Sequence, residues 1–178
     1  MVPDIKCDFV GTTGEKGIDD SIMKLAQSVS GVSDPCLLAE MMTTAVGMAR
    51  GTMGHGDFKM ANRALKEMRV ASEVFQPFRG RRKVSLFGSA RTAPEEKEYH
   101  TAVKFSRRMR DEGFMIITGA GPGIMAAGNE GATREDSFGL NITLPFEAAA
   151  NEFIAGDPKL IDFCLLYTSD AADETERG

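Results

Sequence analysis

A chain of 178 residues has room for one domain, or for a small domain with an appendage, and its 42% hydrophobic and 26% charged residues are ordinary for a globular protein in water. The net charge of −5 argues against non-specific nucleic-acid binding and against docking on an anionic membrane, so neither is an expected partner. No apolar run approaches the roughly 18 residues of a membrane span, the N-terminus has no apolar signal-peptide core, and the scattered Cys7, Cys36 and Cys164 read as reduced thiols of a cytoplasmic protein.

Residues 1–17 are mixed polar without periodicity and read as a mobile arm. A helical extension is predicted over 18–80. Its first helix starts at Asp19 or Asp20, because Ile22, Leu25, Ala26 and Val29 then share one face. Ser33-Asp34-Pro35 is a helix start, with a capping side chain and a proline in the first turn. Leu37, Leu38, Met41, Met42, Ala45 and Met48 follow as a broad apolar stripe that ends at the glycines between Gly51 and Gly56. Asp57 is placed to cap a third helix running to about Val74, with Met60, Ala64, Met68 and Val70 inward. Gln76-Pro-Phe-Arg-Gly-Arg-Arg-Lys83 reads as a hinge, its basic run as a solvated linker in preference to a contact for an anionic ligand.

At Lys83 the pattern changes to α/β. Val84-Ser-Leu-Phe87 suits a central parallel strand. Thr92-Ala-Pro-Glu-Glu opens a helix through about Glu112, with Tyr99, Ala102, Val103, Phe105 and Met109 as its core face and Gly113 closing it. Phe114 to Thr118 is a second strand, Ile124 to about Ala132 a helix, and Gly139 to Leu144 a third strand stopped by Pro145. The predicted fold class is therefore α/β, a Rossmann-like parallel sheet of about three strands, incomplete, behind a helical N-terminal extension.

Both early strands run into glycine turns, Gly88-Ser89-Ala90-Arg91 and Gly119-Ala120-Gly121-Pro122-Gly123. Glycine lets backbone N–H groups approach a ligand and adopt positive φ, and a helix start favours anions. In an open parallel sheet both turns emerge at the carboxyl edge, where such folds bind ligands. Ser89 offers a hydroxyl and Arg91 a bidentate contact to phosphate or carboxylate. One such turn alone is what any tight strand-to-helix connection needs; two at one edge, with a serine and an arginine, point to a phosphorylated ligand. The dinucleotide fingerprint is not met, since Ile124 stands where its third glycine belongs, and no Gly-Lys-Ser/Thr follows to make a P-loop. His55 and His100 read as exposed residues, and Asp19-Asp20 and Glu95-Glu96-Lys97-Glu98 as helix N-terminal charges.

Phe87-Gly-Ser-Ala-Arg91, Thr118-Gly-Ala-Gly-Pro-Gly-Ile-Met125, Asn129-Glu-Gly-Ala132 and Gly139-Leu-Asn-Ile-Thr-Leu-Pro145 together resemble the LOG ("lonely guy") family, once labelled lysine-decarboxylase-like, over residues 82–163. Its members are Rossmann-type nucleoside 5′-monophosphate phosphoribohydrolases, AMP nucleosidase-like enzymes that release the base and ribose 5-phosphate. The resemblance implies a nucleoside monophosphate or ribose phosphate as ligand, no cofactor, no metal and a homo-oligomer. It implies binding roles for Gly88, Ser89, Arg91, Gly119, Gly121, Pro122, Gly123, Met125 and Asn129. Glu147 and Asn151 to Phe153 sit where the family carries an acidic residue and an Asn-x-Phe/Tyr segment, and read equally as a solvated loop or a ligand contact. Glycosidic cleavage passes through an oxocarbenium-like sugar and needs a carboxylate to orient or deprotonate water. The family supplies it in a Pro-Gly-Gly-x-Gly-Thr-x-x-Glu motif that this sequence lacks, so no catalytic residue is assigned.

Cys164-Leu-Leu-Tyr-Thr-Ser-Asp-Ala-Ala-Asp-Glu174 back-translates, with permitted codons, to a sequence resembling a transposase adapter of sequencing libraries. Residues 164–178 are accordingly expected to be a non-native tail, with the natural reading continuing past Phe163, and the chain alone is expected to be marginally stable or to aggregate. The expected function is that of a fragment of such a hydrolase, its binding elements present and its catalytic motif missing. The alternative is a non-catalytic Rossmann-like module for a phosphorylated ligand, like DprA-like proteins or molybdenum-cofactor carriers.

Overall fold

The computed structural model describes residues 11–142 and 149–163. The elements run α1 Lys16–Ser28, α2 Pro35–Arg50, α3 His55–Phe75, a short 3-10 turn Gln76–Phe78, β1 Lys83–Ser85, α4 Lys97–Asp111, β2 Met115–Thr118, α5 Ile124–Ala132, β3 Ser137–Ile142 and β4 Leu160–Phe163. The chain divides into two compact units, Met1–Ala61 and Asn62–Gly178, the division falling inside α3.

In the first unit α1 and α2 pack through Ile22, Ala26 and Ala39, with Ile18, Leu38, Met42 and Val46 around them. Leu37 and Met41, on the predicted stripe, are more than half exposed, so the buried seam is narrower than the stripe. α2 starts as its sequence predicts: the Asp34 carboxylate accepts from the Leu37 amide at 3.0 Å, beside Pro35 in the first turn. α1 starts earlier than expected, at Lys16, because Asp19 ties back the preceding turn. Its carboxylate accepts from the hydroxyls of Thr12 (2.7 Å) and Thr13 (2.6 Å) and the Thr13 amide (2.9 Å). Residues 1–10 of the expected arm, and Cys7, lie outside the described residues. Cys36 is disulfide-bonded, which corrects the reading of three reduced thiols.

The second unit is α/β. Its sheet has four strands in the order β1-β2-β3-β4, every neighbouring pair parallel. That is one strand more than expected. Leu160-Ile-Asp-Phe163 shows too short an apolar run to be recognised by periodicity, but it pairs in register with Gly139 to Ile142. The predicted end of β3, with Pro145, lies outside the described residues.

α4 and α5 pack side by side on one face through Tyr99, Ala102, Val103, Ala126 and Ala127. α5 can lie this close because it carries glycines. A Cβ on Gly128 would stand 2.8 Å from Leu86 and 2.9 Å from Thr118, and one on Gly131 would strike the Val103 carbonyl. α4 begins at Lys97, later than Thr92, since the Glu96 carboxylate accepts from the Ala93 amide (2.7 Å) and makes a turn of residues 93–96. Phe105, expected in the core, is 42% exposed.

The basic run before β1 is anchored, which corrects the reading of a solvated hinge. Phe138 is the register partner of Ile117, whereas α5 rests on Ile116 and Thr118, so Phe138 faces the other side of the sheet. There Phe75 stacks on it at 4.4 Å and Phe78 meets it edge-on at 5.3 Å. Arg81 pairs with Asp136 at 2.5 Å, Arg82 lies over the Phe114 ring at 4.1 Å, and the Lys83 ammonium donates to the Phe78 carbonyl at 2.6 Å. α3 buries no residue, and Met68 and Val70, expected inward, are 63% and 44% exposed, because the helix packs at its C-terminal end through Phe75.

Candidate functional site

The order of the sheet puts the turns after β1 and β2 side by side at its carboxyl edge. They touch. The Ile124 amide, first of α5, donates to the Ser89 carbonyl at 3.0 Å. Gly123 has φ 67°, and a Cβ there would collide with the Ser89 carbonyl oxygen and come within 2.7 Å of the Ala90 backbone. Gly88 lies against Ile124, where a Cβ would stand 2.5 Å from its side chain. Both glycines are therefore required by the crossing of the two turns, whatever else the turns do.

Gly119 and Gly121 answer to a different neighbour. The Met125 side chain lies over them, its Sδ 2.8 Å from a Cβ placed on Gly119 and its Cε 2.6 Å from one on Gly121. Met125 is thus folded back from the first turn of α5 onto the loop. Pro122 is exposed beside it. Among the described residues, the amides of Gly121, Gly123 and Met125 donate to no hydrogen bond. With α5 behind them, they lie at the positive end of a helix dipole; Gly123 is buried against the Ser89–Ala90 backbone, while Gly121 and Met125 are partly exposed and can receive an anion or water.

On the neighbouring turn, the Ser89 hydroxyl accepts from the Arg91 amide at 3.1 Å, which closes the turn and leaves the hydroxyl proton available to a ligand. Ser89 and Arg91 are exposed. Among the described residues, the Arg91 guanidinium has no ion pair or hydrogen bond, so its charge is uncommitted at the same sheet edge. The structure brings together Gly88, Ser89, Arg91, Gly119, Gly121, Pro122, Gly123 and Met125.

Asn129 is placed differently. It is fully buried, and its Oδ1 accepts from the Thr118 hydroxyl (2.8 Å) and from Asn151 Nδ2 (3.0 Å). Its Nδ2 faces the Phe138 carbonyl at 3.5 Å. It braces the loop from within the fold. Asn151 is neither a solvated residue nor turned to the outside: it is half-buried, and its Nδ2 also donates to the carbonyls of Ala120 (2.9 Å) and Gly121 (3.0 Å). Glu147 lies outside the described residues.

One contributor, Ala120, was not singled out from sequence. Ala120 has φ 62° although it carries a Cβ, and the Thr118 hydroxyl caps its amide at 3.0 Å. No local signal marks an alanine between two glycines as left-handed. Between α4 and α5, the Tyr99 hydroxyl donates to Glu130 at 2.8 Å, and burial, then that hydrogen bond, push its pKa up to about 12. His55 begins α3 and His100 lies on α4, both exposed. Among the described residues no group of three or more His, Cys, Asp or Glu is placed to bind a metal, and no helix is long and apolar enough to cross a membrane.

No protein-family model and no curated protein matches the chain, so the likeness to the LOG family rests on its four sequence blocks alone.

Proposed function

We propose that the chain is part of a LOG-type nucleoside 5′-monophosphate phosphoribohydrolase, and that the part it carries holds the phosphorylated sugar of its ligand. The observation that supports this reading most is the joined pair of turns. Free amides at the start of α5 lie on one turn, and an uncommitted arginine and a serine hydroxyl on the next. A ribose 5′-phosphate matches that set: the amides and Arg91 take the phosphate oxygens, and Ser89 donates to phosphate or sugar oxygen. The ordered motif blocks give the chemistry its name, since they resemble those of enzymes that cleave the N-glycosidic bond of such ligands.

Cleavage needs a carboxylate beside the anomeric carbon, and the glutamate motif the family uses for it does not occur in the sequence. A second reading in the same site is binding of a phosphorylated ligand without hydrolysis, which a full-length sequence lacking that motif would favour. Incubation with AMP, followed by chromatography for adenine and ribose 5-phosphate together with calorimetry of AMP binding, separates the readings. Binding without product is expected of this chain. Absence of binding by AMP and by ribose 5-phosphate refutes both readings, and release of adenine refutes the view that the catalytic carboxylate is missing.

A further inference from the structure

We infer that Asn151 is a positioning residue, one that holds Ala120 at positive φ and so fixes the loop whose free amides face the ligand. This rests on the binding reading above and adds to it the device that shapes the loop.

Three observations meet here. Ala120 is fully buried and sits at φ 62°, a conformation an alanine adopts only where its surroundings impose it. Asn151 imposes it from three sides. Its backbone amide donates to the Ala120 carbonyl at 2.8 Å, and its side-chain amide donates to that carbonyl at 2.9 Å and to the next one, of Gly121, at 3.0 Å. On the other side of Ala120 its amide is held by the Thr118 hydroxyl at 3.0 Å, so the peptide planes before and after this residue are both fixed. Third, the donor is itself fixed. Asn151 Oδ1 accepts from the Phe153 amide at 3.2 Å, and its Nδ2 reaches Asn129 Oδ1 at 3.0 Å, which the Thr118 hydroxyl also holds.

The turn that carries Asn151 is anchored separately. Ile154 is fully buried, and Arg134 donates to the carbonyls of Ala155 (2.8 Å) and Glu152 (3.0 Å). The connection into β4 therefore acts on the ligand loop through one residue, by its backbone amide and its side chain. Without the clamp, Ala120 relaxes toward negative φ, and the Gly121 amide turns away from the common edge.

The test uses Asn151→Asp, Ala120→Gly and the double variant in the full chain. Aspartate keeps the acceptor for Phe153 but replaces the donor by an oxygen facing two carbonyls. Glycine takes positive φ freely and no longer needs the clamp. The φ of Ala120 is read from its three-bond HN–Hα coupling and backbone carbon shifts, and AMP affinity by calorimetry. In N151D, Ala120 is expected to leave the left-handed region and AMP affinity to fall about tenfold, the scale of one good hydrogen bond. Addition of A120G is expected to restore most of it.

Retention of positive φ at Ala120 in N151D overturns the inference, as does a double variant that binds AMP no better than N151D. Should N151D fail to fold, refolding of the double variant upholds the clamp and its failure to fold overturns it. A wild-type chain that binds no AMP refutes the nucleotide reading, and the φ of Ala120 in N151D then decides the clamp alone.

Discussion

Replacement of Gly123 by alanine tests the crossing of the two turns. The added Cβ meets three costs. At φ 67° and ψ −131°, a conformation that residues with a side chain rarely adopt, alanine loses about 1–3 kcal/mol. The Cβ collides with backbone, the Ser89 carbonyl oxygen and the Ala90 carbonyl carbon and Cα, none of which can rotate aside as a flexible side chain would. Separation of the turns to make room breaks the 3.0 Å bond from the Ile124 amide to Ser89, worth about 1 kcal/mol, and strains the packing by about 1–3 kcal/mol more. The sum is about 3–7 kcal/mol. Gly156 supplies the control, since it has a similar φ of 73° and nothing within 4 Å of an added Cβ. Gly156→Ala bears the conformational cost alone, about 1–2 kcal/mol. Urea unfolding read by circular dichroism compares them: with a slope of about 1.5 kcal/mol per molar, Gly123→Ala lowers the midpoint by about 2–5 M and Gly156→Ala by about 1 M. Equal shifts for the two variants would refute the reasoning, because the turns would then not be in contact.

Two further outcomes follow from the packing and the electrostatics. Phe138→Ala removes the ring between Phe75 and Phe78 and is expected to cost about 3–5 kcal/mol; a loss under about 1 kcal/mol in the same urea assay would mean that the segment before β1 is not anchored. For Tyr99, burial and the Glu130 hydrogen bond raise the folded-state pKa from about 10 to about 12. Its contribution to stability is therefore complete below pH about 10 and is lost as the pH rises through about 12. Wild type and Tyr99→Phe should converge in stability across that window, and a constant gap between them would contradict the assignment.

Legibility in the sequence followed the range over which the physics acts. The Asp34-Pro35 helix start and the glycine turns are governed by neighbours within a few residues, and both stand where the sequence put them. β4 was missed because its pairing with β3 depends on partners about twenty residues away rather than on its own period. The basic run from Arg79 to Lys83 looked solvated because its charges carry no mark of their destinations, Asp136, the Phe114 ring and the Phe78 carbonyl. At the site, the glycines of the two turns were legible as a set, but not their reasons. Met125 fills the space above Gly119 and Gly121, and the Ser89–Ala90 backbone the space beside Gly123. Asn151 stands thirty-one residues from Ala120, and the left-handed alanine it clamps is silent in sequence.

The central claim is that these two turns form one cradle for a sugar phosphate. Titration of the isotope-labelled full chain with ribose 5-phosphate and with AMP, followed by amide shifts, tests it most directly. Saturable shifts at Ser89, Arg91, Gly121, Gly123 and Met125 are predicted for both ligands, with α1 and α2 unaffected. Shifts confined to other residues, or none at millimolar ligand, would contradict it.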